Sequence, residues 1–312
     1  MVKNMKKKIL NIGSVTKDTI ITQDNNYNQI GGAVFYQLST LNKLKIPNDS
    51  IILIGENDID LLNSIDDKNS IHYINKKNTM EYTNIYKDNK RYQKAYFPKD
   101  SIQESDIQQL NINLKDYSDV ILSPLSPYEI KPDLIKYLKK AKLEITLVIQ
   151  GYIRNIDNDN NIITTNWPDY EKYLRYTDII SSDNTEFEKA FNIEINDENM
   201  KKFINDHELK IVIITLSSEG SAIYTKNEKI KIPSIPTKKE VDFTGLGDTY
   251  ISAFIAKKDV LPLFNAGLYA SICAKNKLEN KSCLKTSKNK IEEEYTEILN
   301  QISQNNKWNN NC

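Results

Sequence analysis

The chain reads as a doubly wound α/β protein: a mostly parallel sheet covered on both faces by helices, with a small second sheet beside it. Three observations predict this. Short apolar runs recur along the 312 residues, at 9–12, 51–54, 120–122, 145–149, 179–180 and 211–216. Several are continuous rather than alternating, as strands buried on both faces are. Helical segments lie between them, so strand and helix alternate in the manner of crossover units. One stretch, 70–97, breaks the alternation and carries hairpin chemistry instead.

Taken in order, the basic start 1–8 is followed by an apolar run, 9–15, that Asn11, Gly13 and Ser14 interrupt. It is too short for a signal peptide or a membrane span and is read as the first strand. Gly31-Gly32 opens a helix over 33–44, and 51–54 returns as a strand. The runs 71–74, 80–86 and 92–97 are rich in Tyr and β-branched residues and are separated by Lys-Lys-Asn and Lys-Asp-Asn-Lys. With 19–22 they are expected to form the second sheet, either as a lid or as an ordinary antiparallel edge. Helices over 130–142, 169–175, 185–191 and 198–206 alternate with the later strands. After Tyr250 come helices over 251–256, 261–277 and 290–301. The Asn-rich tail 303–312 is expected to be disordered. No repeat or long linker divides the chain, so 1–312 is read as one domain with lid segments at about 16–30 and 70–98.

Composition narrows the function classes. The 42 basic and 42 acidic residues cancel, which disfavours a polyanion-binding surface and so nucleic acid as a partner. Cys273, Cys283 and Cys312 are odd in number and lack metal-ligand spacing. They read as reduced thiols of a cytoplasmic protein. No Gly-x-x-x-x-Gly-Lys-Ser/Thr run is present, and no Gly-x-Gly-x-x-Gly follows an early strand, which disfavours a P-loop nucleotidase and a dinucleotide-binding oxidoreductase.

The chemistry gathers at Asp242-Phe243-Thr244-Gly245-Leu246-Gly247-Asp248, just before an apolar helix. Glycines allow a tight turn and close approach to a ligand, and the first turn of a helix offers unpaired N–H groups at the positive end of its dipole. A carboxylate there can take a proton from a nucleophile attacking the bound anion. Asp near a helix start is also favoured by capping alone.

This stretch resembles the C-terminal signature of the ribokinase-type (PfkB) carbohydrate kinases, Asp-Thr-x-Gly-Ala-Gly-Asp, and Gly31-Gly32 resembles their N-terminal one. The resemblance implies a three-layer α/β/α sandwich with a β-sheet lid. It also implies transfer of a phosphoryl group from ATP, with Mg²⁺, to a hydroxyl of a small molecule. Asp248 would be the general base, and the N–H groups of Gly245, Leu246 and Gly247 the anion hole. Phe243 and Leu246 depart from the pattern without removing a charge. Asp183 and Glu186 resemble the family's Asn-x-x-Glu element, which helps to place Mg²⁺ through water; the same pair also spells a capping box. Thr215, Ser217 and Gly220 resemble the nucleotide loop, with Ser217 where glycine is common. Asn265 resembles a helical Asn near the adenine, or is a solvent-facing residue.

On the acceptor side, Asp18 takes the place of a substrate-binding Asp, although a lone Asp there is also an ordinary turn residue. Gly31 and Gly32 line the same site. Ala33-Val34-Phe35-Tyr36 replaces the polar residues expected for ribose. Gln150 to Arg154 resembles an element of myo-inositol-kinase-like members. Arg154, one of three arginines with Arg91 and Arg175, offers a planar fork that Lys lacks. The leading expectation is a sugar, polyol or cyclitol kinase. A nucleoside kinase using Phe35, Tyr36, Tyr82 and Tyr96 as a base pocket is the nearest rival, and a non-catalytic ligand-binding protein the rival of another class. A monovalent cation at the phosphate site and a homodimer formed through the lid are further candidates, with no membrane partner.

Overall fold

In the computed structural model, which describes residues 7–68, 70–87, 90–237 and 239–309, the apolar runs divide their side chains between two faces of one sheet. The chain opens with β1 (Lys8–Ser14), β2 (Thr16–Ile21), β3 (Asn26–Gly31) and α1 (Ala33–Lys43). Next come β4 (Asn48–Gly55), β5 (Ile71–Lys76), β6 (Met80–Lys87), β7 (Lys90–Tyr96) and α2 (Glu104–Gln109). The middle holds β8 (Tyr117–Leu122), α3 (Pro132–Lys140), β9 (Glu144–Val148), β10 (Arg154–Ile156), β11 (Ile162–Thr164) and α4 (Tyr170–Leu174). There follow β12 (Ile179–Asp183), α5 (Asn184–Phe191), α6 (Asp197–Asp206), β13 (Ile211–Thr215), β14 (Ser221–Thr225) and β15 (Lys229–Ile232). The chain closes with α7 (Leu246–Lys257), α8 (Leu263–Leu278) and α9 (Lys288–Asn309).

The main sheet has the order β15-β14-β13-β12-β9-β8-β1-β4-β5, parallel except for the hairpin β13-β14-β15 at one edge. Leu10, Ile12, Val120, Leu122, Val212 and Ile214 enter one core; Ile9, Ile121, Ile211 and Ile213 enter the other. This alternation is the reason the runs are apolar throughout: each strand has two buried faces. Helices α3 to α6 cover the first face, and α7, α8 and α9 with the end of α1 cover the second. After β1 the chain moves outward to β4 and β5, then returns to β8 on the other side. The carboxyl ends of β1 and β8 flank that reversal, where open α/β sheets bind ligands.

The four-stranded small sheet has the order β3-β2-β6-β7, with β2 and β6 parallel. The expectation for 70–97 is corrected here. β5 pairs in parallel with β4 as an edge of the main sheet, and only β6 and β7 join the small one. Within β5 only Ile74 is buried, so an edge strand of the main sheet has the mixed composition of a hairpin strand. The hairpin β14-β15 and the short pair β10-β11 were not anticipated. Helix α7 begins five residues before the expected 251, because Leu246-Gly247 already belongs to its first turn. Helix α9 continues through Asn309, past the expected start of a disordered tail; residues 310–312, with Cys312, lie outside the described residues. Among the described residues no helix is long and apolar enough to cross a membrane.

Below the sheet, at the amino ends of β8 and β9, Lys258 at the end of α7 is 3% exposed. Its ammonium meets Asp119 at 2.9 Å and Asp259 at 2.8 Å, and also pairs with Glu144. These three acids form the one cluster with metal-ligand spacing among the described residues, and the ammonium lies among them. Removing one partner of a buried charge cluster strands the others. Lys258→Met is therefore expected to destabilise by about 3 kcal/mol, a fall in Tm of roughly 6–10 °C, readable by thermal melting. Turnover at 25 °C should be unchanged.

Candidate functional site

Helix α7 points its first turn into the crevice, and its start is set by Gly245. That residue caps the helix with φ 76°, the left-handed region. A Cβ added there would lie 2.3 Å from Cγ of Tyr36, so the position excludes a side chain by conformation and by contact. Gly247 is the opposite case: a Cβ there would meet nothing within 4 Å. The first bond into the helix runs from the Thr249 N–H to the Gly245 carbonyl at 2.9 Å. The N–H groups of Leu246 and Gly247 precede it and have no acceptor in the helix, which leaves them for an anion in that open space.

Asp248 stands at the third position of this turn, partly exposed to the crevice. Loss of water raises its pKa to about 7. Arg154 and Lys277 oppose the rise and Glu186 adds to it. Three elements distant in sequence thus place charges around one carboxyl. A carboxyl with a pKa near neutrality is suited to accepting a proton at physiological pH.

Arg154 follows the turn at the carboxyl end of β9. Its Nη1 donates to the Tyr82 hydroxyl at 3.1 Å, and its guanidinium lies 5.7 Å from the Tyr82 ring. Tyr82 belongs to β6, and its hydroxyl donates to the Leu125 carbonyl at 3.2 Å. The small sheet is therefore tied directly to the crevice. Across the crevice, the Glu186 N–H donates to Asp183 at 2.7 Å and the Asp183 N–H to Glu186 at 3.2 Å. The capping box is formed, while the other Glu186 oxygen accepts from Gln150 Nε2 at 2.5 Å. Burial and the Asp183 charge push the Glu186 carboxyl up. A dication placed here would relieve that repulsion, so the pair suits one.

Asp18 is buried on β2 and accepts from the Thr16 hydroxyl at 2.6 Å. A Cβ on Gly31 would lie 2.4 Å from its carboxylate, and one on Gly32, at φ 102°, 2.4 Å from the Ser14 carbonyl. The two glycines let β3 and the start of α1 close over Asp18. Tyr36 links this half to the other: it packs on Gly245, and Asp242, Asp18 and Asp248 all act on its phenol.

Of the four residues expected at the nucleotide, Thr215, Ser217 and Gly220 lie at the β13–β14 turn and Asn265 on α8. Thr215 ends β13, and Ser217 takes φ 51° in the following turn, a conformation that explains why glycine is common there. At Gly220, φ 96°, a Cβ would lie 2.1 Å from the Ile232 carbonyl. Asn265 Nδ2 donates to the Tyr295 hydroxyl at 3.0 Å, so Asn265 joins α8 to α9 rather than facing open solvent. The aromatic residues read as a base pocket for the rival nucleoside reading fall into two environments. Phe35, Tyr36 and Tyr82 are core residues, and Tyr96 is 46% exposed.

Sequence reasoning missed Lys277, whose charge reaches Asp248 from α8. A lysine at the end of a helix is usually solvated, and its burial follows only from what packs around it.

Residues 65–290 match the pfkB family of carbohydrate kinases. A nucleoside kinase of Methanocaldococcus jannaschii is 35% identical over 127 residues, 37% of this chain and 39% of that protein. This chain thus spans about two fifths of the length of that curated relative. A pyrophosphate-dependent kinase in the ribokinase family, complexed with a pyrophosphate analog and myo-inositol, superposes with a TM-score of 0.75 at 22% identity. That alignment covers 89% of this chain and 97% of the other. Arabidopsis thaliana ribokinase, complexed with ribose and ATP, gives 0.74 at 18% identity, with coverage of 93% and 99%. Both likenesses are of fold. With 65–290 accounting for more than half of its length, the chain belongs to the pfkB family of carbohydrate kinases.

Proposed function

We propose that the chain transfers a phosphoryl group from ATP to a hydroxyl of a small sugar, polyol or cyclitol. The observation that carries this reading is the Asp248 carboxyl, raised to about 7 by burial, beside the unpaired first-turn N–H groups of α7 and facing Arg154 and Glu186. In the proposed reaction Asp248 takes the proton of the acceptor hydroxyl as its oxygen bonds to the γ-phosphorus. The bond from that phosphorus to the bridging oxygen breaks, and ADP leaves. The N–H groups of Gly245, Leu246 and Gly247 hold the charge on the transferring group. Asp18 and Arg154 orient the acceptor, with Gly31 and Gly32 shaping its pocket. Thr215, Ser217, Gly220 and Asn265 border the nucleotide. Asp183 and Glu186 would hold Mg²⁺ through water, and the bound ion neutralises charge on the donor phosphates.

A substrate panel tests this reading: myo-inositol, ribose, fructose and several nucleosides, each with ATP and with pyrophosphate as donor. The pyrophosphate arm is included because one structural relative uses that donor. A nucleoside acceptor is the second reading, favoured by the sequence likeness to a nucleoside kinase and opposed by the burial of Phe35, Tyr36 and Tyr82. If ligands bind and none is phosphorylated with either donor, the catalytic reading fails.

Glu186→Gln separates the metal role from the capping role, since glutamine keeps an oxygen for the Asp183 N–H. The expected result is a half-saturating Mg²⁺ concentration raised about tenfold, with the acceptor KM within about twofold of wild type. Because the Glu186 charge raises the Asp248 pKa, the acid limb of the rate profile should also move to lower pH. An unchanged Mg²⁺ requirement would leave Glu186 as a helix cap alone.

A further inference from the structure

We propose that Lys277 is a positioning residue: its buried ammonium clamps the Asp242–Gly245 loop, through Asp242, in the shape that aims the α7 N–H groups at the donor phosphates. This rests on the phosphoryl-transfer reading above, and it adds a residue that the signature motifs do not contain.

The loop before α7 has no regular structure, so something must hold it. Its Val241 and Asp242 N–H groups donate to the Leu278 carbonyl at 2.9 and 3.3 Å. The Asp242 carboxylate accepts the Thr244 N–H at 2.9 Å with one oxygen and the Ser282 N–H at 2.9 Å with the other. Lys277 completes this knot. Its Nζ donates to the Asp242 carbonyl at 2.8 Å and meets the carboxylate at 3.2 Å, and its side chain is 0% exposed. The ammonium also sits 5.6 Å from the centre of the Tyr36 ring, the ring against which Gly245 packs. One cation thus contacts the start of the loop and the surface on which its end rests.

Stability alone is a poor reason for such a group. A fully dehydrated ammonium is expensive, and apolar residues of similar volume commonly replace buried ion pairs without loss. Burial lowers the Lys277 pKa, and the Asp242 charge works against that fall. In the opposite direction, the N–H of Thr244 and the Lys277 charge outweigh burial and hold the Asp242 carboxyl below its usual range. The pair thus lies behind a pocket meant for a polyanion. Of the loop's tethers it is the one that also adds positive charge near the transferring group.

Lys277→Met keeps the length and bulk of the side chain and removes the charge. Calorimetric binding of inorganic pyrophosphate, which needs no acceptor and no turnover, is expected to weaken at least tenfold in Lys277→Met and to be largely kept in Lys277→Arg. In the kinase assay kcat over the donor KM should fall about a hundredfold while the acceptor KM stays within twofold. Ammonium or potassium ions in the assay should restore part of the lost rate in Lys277→Met and leave the wild type unmoved. If Lys277→Met does not fold, Asp242→Asn, which keeps an acceptor oxygen and removes the charge, is expected to weaken pyrophosphate binding to the same degree. Pyrophosphate binding equal to wild type in the folded variant overturns the proposal. So does a rate loss shared equally by donor and acceptor and unmoved by added cations. A wild type that binds pyrophosphate but phosphorylates no acceptor defeats the proposed function instead, and the calorimetric comparison still decides the role of Lys277.

Discussion

Asp248→Asn is expected to lower kcat by about 10²–10⁴-fold, the usual share of a general base, while acceptor and donor still bind. Asparagine keeps the size and one oxygen of the side chain and cannot take the proton. In the wild type, kcat/KM should fall as pH drops through about 7, where the free enzyme's Asp248 becomes protonated. The same shift makes a stability prediction. The folded carboxyl holds its proton up to about 7, whereas the unfolded chain releases it near 3.9. Between those values the unfolded state binds fewer protons, so this residue's contribution to stability declines as pH rises. Asp248→Asn should therefore melt above the wild type at pH 8, and the gap should close towards pH 4. A loss of stability at pH 8 combined with full activity would remove Asp248 from the centre of the mechanism.

Gly245→Ala is expected to produce the largest combined loss of stability and rate at a single glycine. A left-handed alanine costs about 1–2 kcal/mol, and the new methyl would sit 2.3 Å from the Tyr36 ring. Forcing that buried ring aside adds about 1–3 kcal/mol. Together these lower Tm by roughly 5–10 °C and misalign the first turn of α7, with an expected fall in kcat of more than about a hundredfold. Gly247→Ala is the control, because a Cβ there meets open space. It should melt within about 2 °C of wild type, since surface substitutions change stability little, yet raise the donor KM by placing a methyl where the anion approaches. Equal thermal stability of Gly245→Ala and wild type would contradict the packing argument.

These expectations differ in how far the sequence alone reached. Alternating continuous apolar runs and helical segments announced the sandwich, because burial on both faces of a strand leaves a local compositional mark. The Gly245-Leu246-Gly247-Asp248 helix start, the Asp183 to Glu186 capping box and the Gly31-Gly32 turn were legible for the same reason. Each depends on backbone conformations and hydrogen bonds within a few residues.

Position in space followed a different logic. The strand β5 reads like its neighbours in the small sheet, yet it is claimed by the main sheet, because composition records β-propensity and not which strand is alongside. The buried lysines show the same limit. Lys258 is neutralised by acids from β8 and β9, and Lys277 by Asp242, 35 residues earlier in the chain. Neither lysine is distinguishable in sequence from the many solvated ones.

The sequence by itself thus determined the architecture, the glycine-flanked start of α7 and the carboxylate in its first turn. Only the tertiary structure decided the near-neutral pKa of Asp248, the tie between Arg154 and Tyr82 on the small sheet, and the cation behind the loop that leads into α7. The physical reason is range: turns and caps are settled by bonds between neighbours, whereas desolvation and charge coupling arise only when distant segments exclude water from one another.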